Sequence, residues 1–96
     1  SPTTCNGGKD YCNNANGAGA YAKTFTRASG CGTITINGEV QKDYDYVRVY
    51  NSNNAEIWKG TGSFQNQTVS FCAPSTTVKL FSNGSVTGPG INVTAQ

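Results

Sequence analysis

The chain has 96 residues, a formal net charge of +2 and no His. That length is one domain with room for one core, and seven scattered Lys and Arg residues with no basic run give no footing to nucleic-acid binding. Low charge with many strand formers excludes disorder, and neither an apolar run of membrane length nor a charged-then-apolar leader is visible.

Residues 1–19 read as irregular structure. Asn6-Gly7, Gly8, Asn13-Asn14 and Asn16-Gly17-Ala18-Gly19 are turn formers with almost no apolar anchor. Cys5 and Cys12 are close enough to staple this stretch, which is expected to cap one end of a β-sandwich formed by residues 20–96. Tyr21 to Thr26 alternates and predicts the first strand. Gly32 to Ile36 predicts the second, with Ile34 and Ile36 facing the core. Asn37-Gly38 is ordinarily a hairpin signal. A two-residue turn there would set Ile36 opposite Glu39 and Ile34 opposite Gln41 on a shared face, so a longer loop, from Asn37 to about Asp43, is expected instead.

The stretch Asp43 to Tyr50 alternates strictly. Tyr44, Tyr46, Arg48 and Tyr50 fall on one side of a strand, and Asp45, Val47 and Val49 on the other. Asn51 to Asn54 then turns, and Glu56 to Lys59 predicts a short strand that Gly60 to Ser63 breaks. Thr68 to Cys72 follows, with Val69 and Phe71 inward. Ala73 to Thr76 turns again, and Thr77 to Ser82 places Val78 and Leu80 in the core. After a loop through Gly90, Ile91, Val93 and Ala95 point inward from the last strand. Helical periodicity is absent, and turns recur about every ten residues. The fold class is all-β: an antiparallel sandwich or jelly roll.

Four cysteines in a chain this short indicate an oxidising, extracellular compartment and two disulfides. Zinc is disfavoured because there is neither a His nor a Cys-x-x-Cys pair. Three pairings are possible; Cys5 with Cys12 and Cys31 with Cys72 is preferred. Three Asn-x-Ser/Thr sequons (Asn66, Asn83, Asn92) fit a secreted chain but arise by chance in one so rich in Asn.

For catalysis the inventory is thin. No Ser or Cys has a visible base partner, and the carboxylates are only Asp10, Glu39, Asp43, Asp45 and Glu56. The chain is not expected to be an enzyme. Three of those five acids, Glu39, Asp43 and Asp45, lie within seven positions, and oxygen-rich loops of this kind suit calcium. Asp45 shares the parity of Val47 and Val49, so its carboxylate needs a cation or hydrogen bonds. Calcium is the expected cofactor; ion pairing with Lys42 or Arg48 is the plainer alternative. The face of Tyr44, Tyr46, Arg48 and Tyr50 offers flat apolar area with polar edges, suited to a sugar or a protein. Trp58 joins it as a candidate, although a lone Trp is more often a core anchor.

Tyr44-Asp45-Tyr46-Val47-Arg48-Val49-Tyr50 resembles the Tyr-Asp-Tyr strand of CUB domains, extracellular β-sandwiches of about this size. Phe81-Ser82-Asn83-Gly84-Ser85-Val86 is similar to that family's Ser-Asp loop, and Gly88 to Val93 to its closing strand. The likeness runs from Cys31 to Ala95. It implies a calcium site at Glu39, Asp45 and Asn83, with Asn83 replacing an Asp, and a Cys5–Cys31 disulfide that competes with the preferred pairing. The family's Cys ahead of the Tyr-Asp-Tyr strand is absent, with Lys42 or Asp43 in its place.

Together these readings describe a non-catalytic, calcium-stabilised recognition module of a larger secreted protein. Its expected partner is an extracellular protein or a glycan. The alternative is a carbohydrate-binding module of a secreted polysaccharide-degrading enzyme.

Overall fold

The computed structural model describes residues 22–83 and 89–96. The expected 1–19 cap with Cys5 and Cys12, Tyr21 and the 84–88 part of the last loop lie outside them. Seven strands run through the described residues: β1 (Ala22–Thr26), β2 (Cys31–Glu39), β3 (Tyr46–Asn51), β4 (Glu56–Gly60), β5 (Ser63–Cys72), β6 (Ser75–Phe81) and β7 (Gly90–Ala95). All pairings are antiparallel. They build a four-stranded sheet, β1-β6-β3-β4, and a three-stranded sheet, β5-β2-β7. This is a β-sandwich, with Cys31 bonded to Cys72 across the β2–β5 ladder. The Cys5–Cys31 pairing implied by the CUB resemblance is thereby excluded.

Period-2 alternation decides which side of each strand stays dry. Val47 and Val49 of β3 pair with Leu80 and Val78 of β6, and all four are fully buried. From the other sheet Ile34, Ile36, Phe71 and Val93 close the core. Val40, in the loop after β2, is also buried, and its N–H donates to the Gly62 carbonyl at 2.9 Å. Ala95 is exposed rather than inward.

Three boundaries differ from the sequence expectation by three residues or more. β2 does not stop at Ile36 but continues through Asn37-Gly38 to Glu39, because β7 pairs along that whole length. The tight hairpin is absent, and the loop begins at Val40 rather than Asn37. β3 begins at Tyr46, so Asp43, Tyr44 and Asp45 belong to the preceding turn. β5 begins at Ser63, five residues before Thr68. The β2–β5 register slips between Ile36 and Gly38, and Asn66 there adopts a left-handed φ of 50°. The Asn37 side chain accepts the Asn66 N–H at 2.7 Å. This bulge lets both Phe64 and Val69 face the core although their spacing, from 64 to 69, is an odd number of positions.

Candidate functional site

The acids do not gather. Glu39 is exposed at the end of β2, opposite Ser63 and Gly90 of the three-stranded sheet. Asp43 is exposed in the turn with a φ of 68°. Asp45 alone is fully buried, and its Oδ1 accepts the backbone N–H of Asn83 at 3.0 Å. Asp45 and Asn83 therefore do meet, the main-chain N–H of Asn83 donating to the carboxylate. No group of three or more His, Cys, Asp or Glu able to hold a metal occurs among the described residues. The expected calcium site at Glu39, Asp43, Asp45 and Asn83 is overturned: a hydrogen bond receives the buried Asp45 carboxylate, and Glu39 and Asp43 are exposed without joining it in a metal-holding group.

What fastens the loop is a hydroxyl that the sequence reading passed over. Thr61 Oγ1 accepts the Asp43 N–H at 2.9 Å and donates to the Asp45 carbonyl at 2.6 Å. Within the loop the Gln41 carbonyl accepts the Asp45 N–H at 2.9 Å, and Tyr46 Oη donates to the Asp43 carbonyl at 3.0 Å. Main-chain groups left open by the turn are thus satisfied within the protein.

The aromatic strand leads to a different construction. Tyr46, Arg48 and Tyr50 occupy the outer side of β3, away from Val47 and Val49. Their direct neighbours across β6 are Phe81, Lys79 and Thr77, and Lys59 of β4 stands opposite Arg48. Each cation leans diagonally over a ring. Lys59 Nζ lies 4.3 Å from the Tyr46 centroid, Arg48 Cζ 4.8 Å from that of Phe81, and Lys79 Nζ 5.1 Å from that of Tyr50. Diagonal neighbours in a sheet are within reach of such long side chains, and an exposed contact of this type is worth about 0.5–1 kcal/mol. Arg48 also pairs with Glu56, Nη1 to Oε1 at 3.2 Å. Its Nε is shielded from solvent without a hydrogen-bond partner in the described structure.

Two named candidates stand apart from this face. Tyr44 is 60 % exposed in the turn ahead of β3. Trp58 pairs with Val49, on the inner side of the four-stranded sheet. Its ring meets Phe64 of the other sheet edge-on, centroids 5.8 Å apart, and covers Gly60, where an added Cβ would come within 2.7 Å of the indole. Lys59, Lys79 and Phe81 were missed by the sequence reading. Cross-strand register brings them beside β3, and nothing local to β3 encodes it.

One recess, of about 350 Å³, opens beside the β3–β4 turn, lined by Asn51, Asn53, Ile57, Phe71 and Ala73 among others. No titratable side chain lines it, and the Asn51 side chain is already engaged by the Asn53 and Ala55 N–H groups.

The class defined so far is a disulfide-linked β-sandwich with rings and cations interleaved on one sheet face. No protein-family model matches the chain, and no curated protein is detectably similar to it. Beyond a small disulfide-bonded all-β sandwich, nothing found ties the chain to the CUB family.

Proposed function

We propose that this chain is a non-catalytic extracellular module that recognises carbohydrate through the outer face of its four-stranded sheet. The observation that carries the reading is the convergence of Tyr46, Tyr50 and Phe81 with Arg48, Lys59 and Lys79 on one sheet surface. Rings give contact area at low entropic cost, and the neighbouring cations and tyrosine edges supply the hydrogen bonds that polyols require. The Cys31–Cys72 bond supports an oxidising, secreted setting. Recognition of a partner by a calcium-stabilised module, as the sequence led one to expect, loses its premise with the metal site. A module of this size belongs naturally to a larger secreted protein, a polysaccharide-degrading enzyme among them.

The test is retention of the protein on insoluble polysaccharides. Tyr46→Ala and Tyr50→Ala are expected to weaken retention about tenfold each, with unchanged circular dichroism. Trp58→Ala acts on the core and is expected to lower melting temperature instead. Absence of retention on every polysaccharide tried, with the protein folded, would refute the reading.

A further inference from the structure

The outer face as a carbohydrate site leaves the charge of the ligand open, and the sheet register bears on it. Lys79, Arg48 and Lys59 stand directly opposite one another across β6, β3 and β4. Like charges so placed destabilise a sheet. One carboxylate answers them, Glu56 on Arg48, and both of those side chains are about a third exposed. Lys59 and Lys79 have no acidic partner among the described residues. The contacts to Tyr46 and Tyr50 hold the ammonium groups without neutralising them. Three cations against one acid leave this face at +2, which equals the formal charge of the whole chain; the other four basic and four acidic residues cancel.

The ring faces matter to the same question. A neutral sugar stacking on Tyr46 or Tyr50 would have to displace the lysine already lying over it. An anion bound to those lysines displaces nothing. Rings that hold cations in place are a preorganised anion receptor, because side-chain entropy is lost before the ligand arrives.

Resting on the carbohydrate reading above, we propose that the ligand is an acidic polysaccharide, one bearing carboxylate or sulfate groups, and that Lys79, Arg48 and Lys59 form its anion-binding row. Charge complementarity commits the face to an anion. The hydroxyls bordering the row favour a polyol over an acidic peptide: Thr24 and Thr77, 2.9 Å apart, continue toward Tyr50 along the next row.

Affinity electrophoresis of the whole chain tests this, with polygalacturonate, a sulfated galactan, neutral xylan and polyglutamate as probes. Retardation by polygalacturonate or the sulfated galactan, and not by xylan, is the expected result; which of the two retards more distinguishes carboxylate from sulfate. Binding should fall about tenfold or more as salt screens the row. Lys59→Gln with Lys79→Gln should lower it by a similar factor, while Lys59→Arg with Lys79→Arg preserves it. These are surface changes, and an equal melting temperature verifies the fold. Retardation by xylan alone, or binding indifferent to salt and to the Gln variants, overturns the acidic ligand but keeps carbohydrate recognition. Retardation by polyglutamate alone, or by none of the probes, overturns both.

Discussion

A carboxylate with no solvent exposure, like that of Asp45, is tolerated only where something receives it. Here that is the Asn83 N–H, reaching across 38 positions of sequence to a loop that Thr61 closes from the other side. Removing either partner leaves part-buried main-chain groups unpaired, which costs more than the net worth of the bond itself. Thr61→Val is expected to lower unfolding free energy by about 1–3 kcal/mol, and Asp45→Ala by about 2–3 kcal/mol. Because both side chains hold the same turn, the double variant should lose less than the sum of the two. Urea denaturation of the four proteins measures this. Strict additivity would mean that the loop is not a single unit, and a calcium chelator should leave all four midpoints unchanged.

Among the strands, β2 is where local signal and tertiary structure part. Gly38 has a φ of 129°, a conformation that L side chains rarely adopt. A Cβ there would collide with the Gly90 carbonyl oxygen and come within 2.8 Å of Ile91 Cα. Gly38→Ala is therefore expected to cost at least about 3 kcal/mol, by strain and by prising β7 from β2; hydrogen exchange should show β7 amides losing protection first. The same residue explains what was legible in the sequence. Val47/Val49, Val78/Leu80 and Ile91/Val93 alternate without interruption, so their strands and inward faces can be read directly. Asn37-Gly38 looks like a turn because its composition serves a close backbone approach that only the folded neighbour reveals. Ser63 to Gln67 carries one apolar residue, Phe64, and a bulge that reverses its parity, so no period survives to be read. The candidate site was half legible for a related reason. Tyr46, Arg48 and Tyr50 share a strand, whereas Lys59, Lys79 and Phe81 join them only through register. Proximity in sequence misled for the acids, since Glu39 leaves on one sheet and Asp45 enters beneath the other.

At the scale of the molecule, the two sheets differ in what they show to solvent. Apart from Glu39 at the end of β2, the outward positions of β2, β5 and β7 are uncharged, Thr33, Thr35, Thr68, Ser70, Asn92 and Thr94 among them, while the four-stranded sheet carries the cation row. The two sheets are joined at the corner where the chain changes from one to the other. β1 leads into β2 and β5 into β6, and the two bent segments stay paired around the bend: β1 on β6, β2 on β5. The Arg27 N–H donates to the Pro74 carbonyl at 2.9 Å, and the Ala73 N–H to the Gly30 carbonyl at 2.8 Å. Cys31–Cys72 sits at this corner and spans 41 positions. Closing a loop of that length removes unfolded-state entropy worth about 4 kcal/mol, a large share of the roughly 5–15 kcal/mol that holds a domain together. Replacing both cysteines by Ser is thus expected to lower unfolding free energy by about 4 kcal/mol. Since the effect lies mainly in the unfolded chain, which becomes more expanded, the urea m-value should rise as the midpoint falls. Ligand binding measured well below the new midpoint should stay unchanged, because β3, β4 and β6 keep their pairing without the bond. A fall in binding that parallels the fall in stability would instead show that the corner sets the geometry of the cation row.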